Sequence, residues 1–301
     1  DGSVVDRFIN YMGAFTTTFK PSNDLSLKLI VSSFQTIESE TFDIMGQYWI
    51  GQLETDQGSD SFGEALETKG VGTYLDHARN YLDATVTSAE HRGTLLSNQS
   101  TTVWGLKYQH EIINDRLNEW TMNDSAGFTL PYRAGVPGEA GNQINIELQE
   151  VVKAKIGLSS NRTSGFIQHS WEPETENAQW GFNLGARFNY WDLNRQFLFS
   201  PRGSVSLKPD WETDIVFRFS TGLYYQPPFY RELRNNEGEI NRNLRAQSSL
   251  HFVAGSDLNF MAWERPFKFV AEAYYKYLDN LVPYDVDNVR IRYNARNNAQ
   301  G

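Results

Sequence analysis

From Trp180 to Tyr190 every second residue is large and apolar or Ala (Trp180, Phe182, Leu184, Ala186, Phe188, Tyr190), and the residues between them are Gly181, Asn183, Gly185, Arg187 and Asn189. Successive side chains of a β-strand point to opposite faces, so this is a strand with one greasy face and one polar face. Soluble sandwich strands more commonly stop after about five or six residues. Unbroken alternation of this length instead matches the roughly 9 to 11 residues a tilted strand needs to cross the hydrocarbon core of a bilayer.

The pattern recurs. Phe197, Phe199, Pro201, Gly203, Val205 and Leu207 alternate with Leu198, Ser200, Arg202, Ser204, Ser206 and Lys208. Between Trp211 and Tyr224, Ile215, Phe217, Phe219 and Leu223 share a face opposite Asp214, Arg218, Ser220 and Tyr224, with Val216 as the one intruder. Phe267, Phe269, Ala271, Ala273, Tyr275 and Tyr277 oppose Lys268, Glu272, Tyr274 and Lys276. A register slip of one residue would put Arg187 or Arg218 into lipid at roughly 2 to 4 kcal/mol each near the midplane, so register is strongly set. The fold class expected is all-β, an antiparallel transmembrane β-barrel.

Composition closes off other classes. The chain has 301 residues, and its mean hydropathy is negative. No apolar run approaches the roughly 18 to 20 residues of a membrane helix, so a helical membrane protein is excluded. A net charge of −10 argues against nucleic acid as a partner. The absence of cysteine removes disulfides, thiolate metal sites and thiol catalysis. It suits passage through an oxidising periplasm, with chance absence as the alternative. His77, His91, His110, His169 and His251 are scattered without an HExxH pattern, and no GxSxG or phosphate-cradling loop occurs. No enzyme activity, metal or cofactor is expected, though plentiful carboxylates keep an acid/base pair open by count. The Asn-x-Ser/Thr triplets at Asn98, Asn123 and Asn161 carry no meaning in a bacterial barrel.

The periodicity predicts about thirteen strands, at 7–19, 25–36, 43–54, 80–90, 101–113, 116–125, 163–172, 178–190, 197–208, 211–224, 246–257, 266–278 and 287–295. Gly70 to Arg79 has no clear period, and 145–158 could be a strand of an extracellular excursion. Short connections are expected at 20–24, 172–177, 209–210 and about 257–265, and long ones at 126–161, 190–196, 226–244 and 279–285. Short turns on one rim and longer loops on the other are the arrangement of outer-membrane barrels. Trp171, Trp180, Trp211 and Trp263 all fall beside short turns. That is expected of an aromatic girdle at the periplasmic interface, because an indole prefers one apolar and one wet side. Ordinary core tryptophans of a sandwich are the alternative. His110 would share the otherwise apolar face of Trp104, Leu106, Tyr108 and Ile112, which places it near an interface.

Resemblance to a family rests on several segments in order. GLYYQPPFYRELRNNEGEINRNLR (222–245), WERPFKFVAEAYYK (263–276) and PYDVDNVRIRY (283–293) resemble the barrel domain of TonB-dependent outer-membrane receptors. FDIMGQYWIGQL (42–53), HARNYL (77–82) and RTSGFIQHSW (162–171) look like wall strands of the same family. The resemblance implies a roughly 22-stranded barrel plugged by an N-terminal globular domain. It further implies a Gram-negative outer membrane, lipid around the wall, a TonB complex supplying energy, and an unknown small nutrient as ligand. Asp1 opens without a signal peptide, and 294–301 is polar and ends in neither a strand nor an aromatic residue. Residues 1–301 are therefore expected to be an internal part of such a barrel, lacking the plug, the TonB-contacting segment and the closing strand, and unable to transport alone.

Two sites are expected. Arg187, Arg202, Arg218, Lys268 and Glu272 should face the lumen, with Lys208, Lys276, Glu212 and Asp214. Mixed sign suits a lumen filled by another domain, since a selective open pore tends to display one sign at its constriction; a lumen simply wetted by water is the alternative. Gln226, Pro227, Pro228, Phe229, Tyr230, Arg231 and Arg234 form the candidate ligand-proximal or plug-facing loop. Its prolines stiffen a strand exit, its aromatics offer stacking surfaces and its arginines offer donors. Equally, these residues could tie the loop base to the wall. Glu38, Glu40 and Asp43 read as a solvated acidic loop. Two rivals stand beside the receptor reading: a passive porin-like channel, and a soluble surface β-sandwich that binds glycans and would bury its apolar faces.

Overall fold

The computed structural model describes residues 2–123, 148, 150–287 and 290–301. Its strands are β1 Gly2–Phe19, β2 Leu25–Leu53, β3 Ala65–Ser97, β4 Ser100–Asn123, β5 Glu150–Trp171, β6 Glu174–Thr175, β7 Ala178–Trp191, β8 Gln196–Pro209, β9 Asp214–Gln226, β10 Gln247–Ala262, β11 Arg265–Asp279, β12 Tyr284–Asp287 and β13 Arg290–Tyr293, with one short helix, α1 Tyr230–Leu233. An 11-stranded antiparallel sheet runs β1-β2-β3-β4-β5-β7-β8-β9-β10-β11, with β6 paired to β7 beside that path, and β12 and β13 form a separate hairpin. Along that path strands pair in chain order, with β6 alone passed over, the meander expected of a barrel wall. The fold is thus a partial β-barrel, as the alternation predicted.

Thirteen strands occur among the described residues, but their membership differs from the expectation. The 25–36 and 43–54 strands are one, β2, and the 101–113 and 116–125 strands are one, β4. Glu38, Glu40 and Asn114–Asp115 read as interruptions because acids and Asn disfavour strands. Here a cross-strand polar partner holds Glu40 in the ladder. Asn80 Nδ2 donates to Glu40 at 3.2 Å and to Glu119 at 2.7 Å. Gly70 to Arg79 lies within β3, 190–196 is a tight connection between β7 and β8 rather than a long loop, and 287–295 is the return arm and exit of the β12–β13 hairpin. The 126–147 part of the expected long loop lies outside the described residues.

The chain forms two compact units. One comprises Asp1–Asn10, Thr36–Ala84 and Ile113–Gly157, and the other Tyr11–Gln35, Thr85–Ile112 and Leu158–Gly301. The first buries Phe42, Ala78 and Leu117. The second holds the cluster Trp191, Leu233, Leu244 and Val282, with Leu193, Ile240 and Tyr293 packed against it.

Register in the second unit keeps the two faces apart. Phe182 lies opposite Val205, Phe188 opposite Phe199, Phe219 opposite Val205 and Ala254, and Phe269 opposite Leu258. On the other face Arg187 lies opposite Ser200, Arg218 opposite Ser206 and Gly255, and Lys268 opposite Asn259. The apolar face stays open, with Phe199 at 54% and Phe269 at 58% exposure, where a sandwich would have covered it. Aromatic rings fill the glycine gaps of this wall. A Cβ on Gly165 would come within 2.5 Å of the Phe188 ring directly opposite. At the short-turn rim, Trp263 and Glu264 both take positive φ, 48° and 57°, the backbone of a two-residue hairpin whose twist matches the strands.

Candidate functional site

Where β7 ends, the polar face carries a large apolar ring, Trp191, which breaks the alternation that precedes it. The Arg162 guanidinium from β5 lies 3.6 Å from the centre of that ring. Arg162 Nε forms an ion pair with Glu111 Oε1 at 3.0 Å, and Nη2 donates to the Pro228 carbonyl at 3.1 Å. Trp191 Nε1 donates to Ser160 Oγ at 3.1 Å, and Ser160 Oγ donates to Glu111 Oε2 at 3.3 Å. A buried charge pair is costly unless hydrogen bonds also reach it, and Ser160 supplies one to Glu111 Oε2 while the Pro228 carbonyl takes one from Arg162 Nη2. This cluster was missed in the sequence. The one signal was an apolar ring at an odd position next to an otherwise even apolar series.

Pro228 thereby anchors the 226–246 connection to the wall. Two prolines direct the chain out of β9, and α1 follows. Glu232 closes that turn, accepting from the Phe229 amide at 3.1 Å and from Gln247 Nε2 at 2.7 Å. Burial holds the Glu232 carboxyl above its ordinary range, and those two hydrogen bonds oppose the shift. Leu233 and Leu244 are fully enclosed against Trp191 and Val282. Asn194 Nδ2 donates to the Leu244 carbonyl at 3.2 Å, and Gln196 Oε1 accepts from the Ala246 amide at 2.9 Å. The connection is a packed structure with its own core.

The seven loop residues singled out from the sequence divide accordingly. Pro228 is buried and structural in its contacts, whereas Phe229 and Arg231 are exposed, and Gln226, Pro227, Tyr230 and Arg234 are exposed or half-buried. Phe229 meets Tyr293 edge-to-face at 5.3 Å. Beyond α1, Asn235 Oδ1 accepts from the Glu239 amide at 2.7 Å, and Gly238 takes a φ of 82° in the turn. Asn241 Nδ2 reaches the Ala295 carbonyl at 2.8 Å. Between these segments lies a cleft of about 390 Å³ lined by Asn235, Asn236, Glu237, Asn241, Asn294 and Arg296, among others.

The charges expected on the lumen wall are partly brought together. Asp257 Oδ1 pairs with Arg218 at 2.6 Å, and its Oδ2 pairs with Lys268 at 3.0 Å. Lys208 pairs with Asp214 at 2.8 Å, and Asn259 Nδ2 donates to Asp214 at 2.9 Å. Arg187, Arg202 and Glu272 stand outside these ion pairs. Asp257, the hub, was not singled out in the sequence. Each expected girdle tryptophan meets a phenylalanine on the apolar face: Trp171 and Trp180 stack on Phe182, Trp211 meets Phe217, and Trp263 meets Phe267. His110 Nδ1 bonds Asn161 Oδ1 at 2.9 Å, and Tyr108 donates to the same oxygen at 2.6 Å. In the first unit, Asp43 is no loop residue: it bonds His77 and Arg79 at 2.6 Å each, and His77 stacks on Trp120 at 4.6 Å.

Residues 6–301 match the family model described as "TonB dependent receptor-like, beta-barrel". No curated protein matches the sequence. Among solved structures, the chain is similar to "Copper transporter OprC" at 11% identity, covering 97% of this chain and 48% of that one with a TM-score of 0.48. It is similar to the siderophore receptor PirA from Pseudomonas aeruginosa at 9% identity, covering 99% and 60% with a TM-score of 0.40. It is also similar to the RagAB peptide importer in its "closed-closed" state at 10% identity, covering 99% and 33% with a TM-score of 0.48. The chain spans less than two thirds of the length of each of these.

Proposed function

We propose that this chain, which belongs to the TonB-dependent receptor-like β-barrel family, forms part of the wall and external loops of a Gram-negative outer-membrane receptor that imports a scarce nutrient by active transport. The reading rests most on the separation of the two faces. Open aromatic and aliphatic side chains line one side of β7–β11, and a charge network centred on Asp257 lines the other. An apolar face of that breadth needs lipid, whereas the charged face suits contact with water or another polar surface. The wall's mixed sign fits a lumen occupied by a plug domain of the same polypeptide better than a selective open pore. Energy would reach such a plug from the TonB complex, and the nutrient would enter from the long-connection side. There the 226–246 connection presents Phe229, Tyr230 and Arg231.

Uptake by cells that carry the receptor, measured with and without inner-membrane energisation, tests this. Active transport predicts that accumulation of the limiting nutrient collapses when TonB is removed, while the receptor stays assembled. Uptake that persists unchanged without TonB would identify a passive channel instead.

A further inference from the structure

We propose that the outward face of β4 and β5, near their long-connection ends, binds the phosphate groups of an anionic glycolipid of the outer leaflet through Arg116, Lys153 and Lys155. The inference rests on the receptor reading above and adds a lipid partner for the outside of the wall. All three residues belong to the first compact unit. Side chains alternate strictly there. Asp115 and Leu117 are buried and Arg116 between them is exposed, while on β5 the exposed Lys153 and Lys155 flank the half-buried Ala154. Gly157 of β5 faces Asn114 of β4, since a Cβ on it would lie 3.9 Å from the Asn114 amide oxygen. Two residues further along each antiparallel strand, Lys155 stands across from Arg116, and Lys153 follows across from Asn118.

Like charges directly opposite one another weaken a sheet. Elsewhere the chain avoids this arrangement: Arg218 and Lys268 share Asp257, Lys208 takes Asp214, and Arg79 on neighbouring β3 takes Asp43. Among the described residues, Arg116, Lys153 and Lys155 have no carboxylate in an ion pair. The Arg116 guanidinium instead lies 5.9 Å from the centre of the Tyr81 ring of β3. Asp83, two residues from Tyr81 on the same face of β3, offsets one of the three cations at most. In a chain of net charge −10, this local surplus calls for an anion from outside the chain. Location selects the anion. The exposed face of β4 passes through Leu106, Tyr108 and Ile112 before it reaches Arg116. Those four residues from Ile112 to Arg116 span about 13 Å of strand. The cations therefore follow the apolar band on its long-connection side, where charged headgroups and not hydrocarbon meet a barrel wall.

The test uses the receptor purified from outer membranes in mild detergent and freed of co-purified lipid. It is titrated with phosphorylated lipopolysaccharide, with the same lipopolysaccharide after removal of its phosphates, with phosphatidylglycerol and with inorganic phosphate, and native mass spectrometry reads the bound lipid. The phosphorylated glycolipid should bind, and its dephosphorylated form should bind on the order of tenfold more weakly or less. The triple variant Arg116→Gln, Lys153→Gln and Lys155→Gln should lose a similar factor, whereas Lys153→Arg with Lys155→Arg should bind as the parent does. Without lipid, the triple variant should unfold at the same temperature or higher, because removing like charges relieves the sheet. The proposal is overturned if the triple variant binds the glycolipid unchanged, if dephosphorylation has no effect, or if phosphatidylglycerol binds equally well. Displacement of the lipid by millimolar inorganic phosphate would also overturn it, assigning the patch to a free anion. Glycolipid binding that depends on the three cations, joined to uptake that ignores TonB, would retain this patch and reject the transport reading alone. TonB-dependent uptake by a receptor that binds no glycolipid would do the reverse.

Discussion

The Arg162 guanidinium lies 3.6 Å over the indole of Trp191, and through it the wall strands β5 and β7 grip the Pro228 carbonyl of the 226–246 connection. The same guanidinium faces Glu111, so one side chain couples a buried ion pair, a ring and a loop anchor. Removing it should do more than remove one contact. Arg162→Met leaves Glu111 buried without its cation, a loss of about 3 to 5 kcal/mol for breaking such a pair. The connection should become protease-sensitive and the thermal transition should fall. Arg162→Met combined with Glu111→Leu, which removes both charges, should restore most of the loss. A double variant as unstable as the single one would show that the ring and loop contacts, not the ion pair, carry the energy.

Wall orientation is open to direct measurement. Spin labels at Phe188, Phe217 and Phe269 should report lipid contact, and labels at Arg187, Arg218 and Lys268 should report polar surroundings. The registers of β7–β11 place these sets on opposite faces. Labels at Arg187 and Phe188 that report the same environment would reject the barrel wall.

Tyr230 and Arg231 belong to the loop but not to its buried anchor, which is Pro228, Glu232 and Leu233. Replacing both by Ala should lower nutrient uptake while leaving heat-modifiable gel migration intact. Loss of a stacking ring and a charge-assisted donor would each remove on the order of 1 to 3 kcal/mol from binding. Failure of assembly along with uptake would assign the segment a structural role.

Glu232 makes the loop pH-sensitive in a definite direction. Its carboxyl is raised above the ordinary 4.5, with burial as the main cause. The folded loop therefore holds a proton that the opened loop has already released, and folding is favoured more strongly at low pH. That contribution is fully present below about 4.5 and is lost as pH rises through the higher folded value. Hydrogen exchange of residues 229–247, corrected for intrinsic rates, should show protection falling across that window. In Glu232→Gln the dependence should vanish. Protection that rises with pH would contradict the assignment.

Gly165 supplies a packing test. A methyl there would meet the Phe188 ring at 2.5 Å and the Gly105 carbonyl at 3.0 Å. Gly165→Ala should cost about 1 to 3 kcal/mol by overpacking. Phe188→Leu in the same chain should recover part of it. The measurement is the unfolding midpoint in detergent or lipid.

Strand existence and facing were written in the sequence because a period of two is a local property. Phe182, Leu184 and Phe188 against Asn183 and Arg187 need no distant partner to declare two faces, and the length of that alternation alone indicates a membrane-crossing strand. The place of Trp171, Trp180, Trp211 and Trp263 beside short turns was legible for the same reason, each turn being marked by its own neighbours. Tertiary structure decided everything that depends on which residues meet across strands. Glu40 and Asp115 looked like breaks because their local preference opposes a strand, and cross-strand partners such as Asn80 keep β2 continuous. Asp257 became a hub only when register set it between Arg218 and Lys268. In the same way Glu111, Arg162, Trp191 and Pro228, separated widely along the chain, became one anchor. Their contacts are fixed by pairing geometry and burial, and neither is a property of any local stretch of sequence.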